Sequence, residues 1–294
     1  MFTIDHIQSQ SNSTDYLELK HVDGTSLAKI DLTQGGSLQE LKFGGQDLLA
    51  PQNISAYTSS ILFPFANRIE DGHFSFNGNT FVLKKNEGNG NNAIHGLVFD
   101  KTFKLIAQEA SESSASITLS YNETQPVSGF PFNYGIKLHY MLSKIALELK
   151  IDIENKGQNA FPFSLGWHPY FKTDDLFNSH LKMYSRKKII VNDQMIPNGE
   201  ADIEWNGFDQ IKNQIFDDCF VLETNKIEFK TSTYHIELEF STEDNYLQLY
   251  TPNNRKSIAI EPQTAPANSF NNNIGLRVLK PNESYNLSWK ITLK

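Results

Sequence analysis

The sequence predicts an all-β protein, a large antiparallel β-sandwich of two packed sheets. Three observations carry that expectation. Apolar and polar residues alternate at a period of two along much of the chain. Turn residues punctuate the alternating runs. Helical patterning is scarce.

Taken in order, "SLQELKF" at 37–43 is too short to stand alone as a helix. "HFSF" and "TFVLKK" flank "FNGN" at 76–79, and the Asn-Gly pair predicts a hairpin. "SITLSYN" (116–122), "GIKLHYML" (135–142) and "IALELKIDIEN" (145–155) follow, with "SK" at 143–144 reading as a second hairpin turn. "HIELEFS" (235–241), "YLQLYT" (246–251) and "SYNLSWKITL" (284–293) continue the alternation. Such runs are half-buried antiparallel strands. Residues 206–216, "NGFDQIKNQIF", have room for one short helical turn. No repeat of 20–50 residues and no low-complexity linker appears. The chain 1–294 therefore reads as one domain.

Charge narrows the function. The formal net charge is −8 and no basic run is present, so nucleic acid is not an expected partner. No stretch approaches the roughly 18 apolar residues that span a bilayer, so no membrane is expected either. The first twenty residues lack a basic region and an apolar core, and read as no signal peptide. Cys219 is the single cysteine, so no intrachain disulfide can form. A cytoplasmic protein is the expectation, as a monomer or homodimer. The Asn-x-Ser/Thr triplets at Asn53, Asn122 and Asn282 have no meaning without a secretory route.

Four loop-like segments set polar residues in apolar or glycine-rich company: 63–72 "FPFANRIEDG", 91–100 "NNAIHGLVFD", 164–171 "SLGWHPYF" and 258–271 "IAIEPQTAPANSFN". Loops on a rigid β scaffold are where binding groups gather. Glu261 follows "SIAI" and precedes Pro262, so it reads as the end of a strand. It is either a solvent-facing carboxylate or a partly dried one with a raised pKa, fit to accept a proton. His168 is either a packed histidine bonded to backbone or an imidazole tuned by its aromatic neighbours. In the second case Trp167 or Tyr170 offers a flat face to a ligand. His95 carries the same two readings, and Gly96 after it permits close approach of a ligand or backbone. Arg68 pairs with Glu70 or Asp71, or meets a polyhydroxy ligand. Asp217 and Asp218 face opposite sides of a strand, one toward solvent and one toward the core or a site. No HExxH or CxxC spacing points to a metal, and no GxSxG elbow points to a serine hydrolase.

Together the segments resemble the aldose 1-epimerase (galactose mutarotase) family. "NRIEDGHFSFNGNTFVL" is similar to its arginine segment, "NNAIHGLVFDKTF" to its first histidine motif and "WHPYF" to its second. "FDDCF" is similar to its aspartate motif, "LQLYT" to its glutamine segment and "IAIEPQTAPANSFN" to its catalytic glutamate motif, all in family order. The resemblance implies a galactose-mutarotase-like sandwich with the sugar on a concave face. It implies Glu261 as general base and His168 as general acid. It implies Arg68, His95, Asp217 and Gln248 as sugar-binding residues, with Asp217 chosen because the family's aspartate precedes the matching phenylalanine, Phe220, by three. It implies a small-molecule sugar as partner, and no metal or other cofactor. Trp167 stands where galactose-acting members carry a polar Asn, and is a further candidate sugar contact. Two other readings accompany the epimerase of free hexoses. One is a hexose-6-phosphate 1-epimerase, which would want cations such as Lys84, Lys85 or Lys101 at the site. The other is a non-catalytic carbohydrate-binding protein.

Overall fold

The computed structural model describes residues 1–9, 14–51, 55, 57–241 and 245–294; the triplet at Asn53 lies outside them. Strands Phe2–Ser9, Thr14–His21, Leu27–Asp31, Ser37–Phe43 and Gln46–Asp47 form a meander, each pairing with the next. "SLQELKF" is thus a strand, with Leu38, Leu41 and Phe43 buried. The large sheet holds fifteen strands among the described residues, paired antiparallel. It begins at Lys104–Ala110 and runs through Ser114–Glu123, Tyr134–Ser143 and Ala146–Asn155 to Ser284–Leu293. It continues through His235–Phe240, Lys226–Lys230, His180–Val191, Asp217–Leu222, Tyr246–Tyr250 and Ser257–Gln263 to Gly166–Trp167 and Ile61–Leu62.

Period-two patterning explains which face is buried. On Ala146–Asn155, Leu147, Leu149, Ile151 and Ile153 are buried, while Lys150 on the other face is exposed. Each such side chain, fully buried, contributes about 1.5–3 kcal/mol. Side chains of the meander and the large sheet share one core, from Phe2 to Ile291. The Tyr140 hydroxyl donates to the Gly36 carbonyl at 2.8 Å and ties the two sheets together. The hairpin at 76–79 is present: Phe76 pairs with Asn79, and Asn77 and Gly78 take φ of 49° and 77°. Two left-handed residues make the turn whose twist matches the flanking strands.

Residues 206–216 hold no helix. Asn206–Gln210 completes the strand Pro197–Gln210, pairing with His180–Tyr184, and a tight turn follows at Lys212–Asn213. Ladder pairing outweighs the weak propensity of so short a segment. A four-residue helix, Ser269–Asn272, ends the fourth polar segment instead. Among the described residues no helix is long and apolar enough to cross a membrane.

Candidate active site

Strand register gathers one half of the site. Cys219 pairs with Gln248 and Gln248 with Glu261, while Asp217 pairs with Tyr250 and Tyr250 with Ala259. Residues directly opposite, and two apart along a strand, share a face. Asp217, Gln248, Tyr250 and Glu261 therefore stand on one face. On the other side of Ser257–Gln263, Gly166 pairs with Gln263 and Tyr170 with Ala259. That register carries His168 opposite Glu261 and onto the same face. Pro169 and Pro262 lie inside this stretch, and a proline has no N–H to give the ladder. The His168 N–H bonds instead to the Ser60 carbonyl at 3.1 Å, and the Ser59 N–H to the His168 carbonyl at 2.8 Å.

The other half comes from two short strands, Arg68–Ile69 and Ala93–Ile94, paired antiparallel. The His95 N–H bonds to the Asn67 carbonyl at 2.9 Å. His95 and Gly96 both take positive φ, 62° and 76°. A Cβ at Gly96 would overlap the Phe63 carbonyl. The close approach that Gly96 permits is therefore to backbone, and it turns the His95 ring into the pocket.

The pocket has a volume of about 360 Å³, with Asn67, Arg68, His95, His168, Asp217, Gln248 and Glu261 in its walls. That is the scale of a small-ligand site. His168 Nε2 stands 3.3 Å from Glu261 Oε1, with the side chains 6% and 2% exposed. The second Glu261 oxygen accepts from Gln263 Nε2 at 3.2 Å. Burial drives the Glu261 carboxyl well above the usual carboxylate range, and nearby Asp217 adds to the rise. Burial pushes the His168 imidazole down to about 3. His95 is held well below the ordinary imidazole value by burial, with His168 and Arg68 adding to it. A dry pocket disfavours each charged form, so burial biases the pair toward a neutral carboxyl beside a neutral imidazole.

Aromatic rings set the imidazoles. Tyr170 stacks on His168 with centroids 4.8 Å apart, and His95 meets His168 edge-on at 5.0 Å. Tyr57 packs on His95 at 4.7 Å, and its hydroxyl accepts from Asn86 Nδ2 at 3.0 Å. A polar chain crosses the wall. Arg68 Nη1 donates to Asn67 Oδ1 at 3.0 Å, and Asn67 Nδ2 to Gln248 Oε1 at 3.3 Å. Gln248 Nε2 donates to Asp217 Oδ1 at 2.9 Å. Among the described residues no group of three or more His, Cys, Asp or Glu could hold a metal ion.

Six of the seven site residues expected from sequence meet in this pocket; Trp167 does not. Its neighbour His168 faces the pocket, so Trp167 points to the opposite face. There it is 1% exposed, stacks on Trp289 at 6.1 Å, and donates from Nε1 to the Ser59 carbonyl at 3.1 Å. The flat face beside His168 belongs to Tyr170. Glu261 does not end its strand, which runs through Pro262 to Gln263. Arg68 pairs with neither Glu70 nor Asp71: its Nε donates to Glu87 Oε1 at 2.5 Å. Asp71 pairs with Lys85, while Glu70 accepts from Asn268. Asp218 turns away to Lys188, and Asp217 keeps the pocket. Lys84, Lys85 and Lys101 line no part of the pocket. Asn67, Tyr57, Glu87, Tyr250 and Gln263 escaped the sequence reading. Asn67 had a signal, an amide beside the arginine in an apolar run. Glu87 had a weaker one, an acid in the Asn/Gly-rich loop before His95.

Comparison with known proteins agrees with this architecture. A solved galactose mutarotase-like protein from Clostridium acetobutylicum superposes with a TM-score of 0.88, at 22% identity, covering 100% of this chain and 98% of that one. A galactose 1-epimerase from Lactobacillus acidophilus superposes with a TM-score of 0.83, at 16% identity, covering 100% and 99%. By sequence, the uncharacterized protein YihR of Escherichia coli is 25% identical over 276 residues, 88% of each chain. The aldose 1-epimerase of Escherichia coli is 24% identical over 195 residues, 65% of this chain and 53% of that one. The family model described as aldose 1-epimerase matches residues 17–292. With this fold and this coverage, the chain belongs to the aldose 1-epimerase family.

Proposed function

We propose that the protein interconverts the α and β anomers of a free aldose by acid–base opening and closing of its ring. One observation carries the reading: a buried carboxyl and a buried imidazole 3.3 Å apart in the pocket, close enough to pass a proton between them. Ring opening removes a proton from the C1 hydroxyl and delivers one to the ring oxygen. Passage of a proton from Glu261 to His168 across the 3.3 Å contact gives the carboxylate–imidazolium form, in which Glu261 takes the first and His168 gives the second. Rotation about the C1–C2 bond turns the other face of the aldehyde to the returning hydroxyl, and the two groups exchange roles on closure. The pair ends each turnover with the proton count it began with. Each such transfer is worth about 10²–10⁴-fold. Low dielectric strengthens both contacts in the transition state. Arg68, His95, Asp217 and Gln248 bond hydroxyls and fix the pose.

A hexose-6-phosphate would call for further cations. Arg68 is the single Lys or Arg in the pocket wall among the described residues, and it is already paired. A sugar-binding module has no use for the buried proton-sharing pair. The test is polarimetry on freshly dissolved α-glucose and α-galactose. The unmodified protein should accelerate the approach to equilibrium rotation. Glu261→Gln and His168→Asn should each lower kcat by at least about 10²-fold with folding intact. A variant that keeps its rate removes the role given to that residue.

A further inference from the structure

We infer that Glu87 is a positioning residue for Arg68 that restricts the pocket to uncharged sugars. The inference rests on the pocket being a sugar site, as proposed above. Four facts carry it. Glu87 Oε1 accepts from Arg68 Nε, and both side chains are largely buried, at 18% and 15% exposed. Glu87 Oε2 accepts from Asn92 Nδ2 at 2.7 Å, so both carboxylate oxygens are engaged. Asn92 is itself held: its Oδ1 accepts from the Asp71 N–H at 3.1 Å, and its Nδ2 also reaches the Gln194 carbonyl at 3.2 Å. The loop is folded around the carboxylate. The Gly90 N–H bonds to the Glu87 carbonyl at 2.9 Å, and a Cβ on Gly90 would overlap the Glu87 carboxylate.

With Nε and Nη1 bonded to protein, no described residue bonds Arg68 Nη2. The guanidinium therefore offers the ligand a donor in a fixed direction while its charge is met by Glu87. Such a group suits a hydroxyl oxygen and neutralises no anion. The balance at the site points the same way. Glu87 meets the charge of Arg68, while the carboxyls of Asp217 and Glu261 also stand in the wall. A ligand carboxylate or phosphate would enter a pocket whose one Lys or Arg among the described residues is occupied and whose wall carries two acidic side chains. Removing the Glu87 charge would release the guanidinium to pair with it. In a partly dried site such a change is expected to shift relative affinity by tenfold or more.

The experiment compares glucose with glucuronate, which differ by a carboxylate at C6. Affinity by calorimetry is the primary readout, with mutarotation kcat and KM beside it. The unmodified protein should bind glucose at least tenfold more tightly than glucuronate. Glu87→Gln should raise the affinity ratio of glucuronate to glucose by tenfold or more, acting on KM more than on kcat. Gly90→Ala keeps the Glu87 charge but displaces its carboxylate from Arg68, and should move the ratio in the same direction. Glu87→Asp should restore discrimination in part. Equal affinity of the unmodified protein for the two sugars, binding of neither, or an unchanged ratio in both Glu87→Gln and Gly90→Ala overturns the inference. Charge-dependent binding without mutarotation would sink the proposed reaction and leave this inference standing.

Discussion

Trp167 and His168 are adjacent in sequence and separated by a sheet. Alternation along the strand sends one ring into the core and the other into the pocket. Replacing Trp167 should therefore act on stability and not on sugar affinity. Trp167→Phe removes the stack on Trp289 and leaves the buried Ser59 carbonyl without its donor. We expect a loss of about 2 kcal/mol or more, with KM within twofold of the unmodified protein. Urea denaturation and polarimetry measure the two quantities. A tenfold rise in KM at unchanged stability would put the ring in the pocket. Phase decides the outcome. "WHPYF" carries aromatic and acid–base residues, but Trp, His, Tyr and Phe around Pro169 show no apolar–polar alternation to reveal which of them face inward. Register against Ser257–Gln263 supplied that, and register is a property of two strands.

Elements that close locally were the most legible. The 76–79 hairpin follows from two residues, because Asn-Gly alone fits a turn with two positive φ values. Gly78 and Gly96 both sit at positive φ, but with different surroundings. A Cβ at Gly78 meets nothing within 4 Å, whereas one at Gly96 runs into the Phe63 carbonyl. Gly78→Ala should cost about 1 kcal/mol with kcat/KM unchanged. Gly96→Ala should cost more and also lower kcat/KM, since it displaces His95. Thermal melts and polarimetry on the pair check this. Equal effects on activity would break the link between Gly96 and His95. Illegible elements were those decided at long range. Residues 206–210 became strand because His180–Tyr184 lies alongside. The Arg68–Glu87 pair joins a two-residue strand to the loop before His95, and no periodicity marks it.

The folded molecule and its unfolded chain bind protons differently, and buried site groups account for a measurable part. In the unfolded chain His95 and His168 take protons near 6.5 and Glu261 near 4.5. In the folded protein burial lowers the proton affinity of both imidazoles and raises that of the Glu261 carboxyl. As pH drops through about 6.5 the unfolded chain takes up protons on its histidines that the folded one resists, so the histidines give an acid limb of falling stability. Glu261 acts in the opposite sense: its raised pKa favours the folded state at low pH, and that contribution is lost as pH rises, which gives an alkaline limb. Relative to the unmodified protein, His95→Gln should flatten the acid limb. Glu261→Gln should remove the alkaline limb and steepen the acid one. Melting temperatures at fixed ionic strength decide; parallel curves for all three proteins would contradict it.

Strand Ser284–Leu293 lies between Ala146–Asn155 and His235–Phe240, and pairs with both. It is a keystone supplied late. During synthesis, strands from Lys104 to Asn155 can form their hairpins in order as they emerge. They cannot be joined to the part of the sheet that carries Gln248 and Glu261 until residue 293 has left the ribosome. Until then two long edges, each with a row of unpaired N–H and C=O groups, face the solvent. Closing them requires contacts across more than a hundred residues, which is slow. The nascent chain is therefore most exposed to aggregation before Ser284–Leu293 has emerged and docked between those edges.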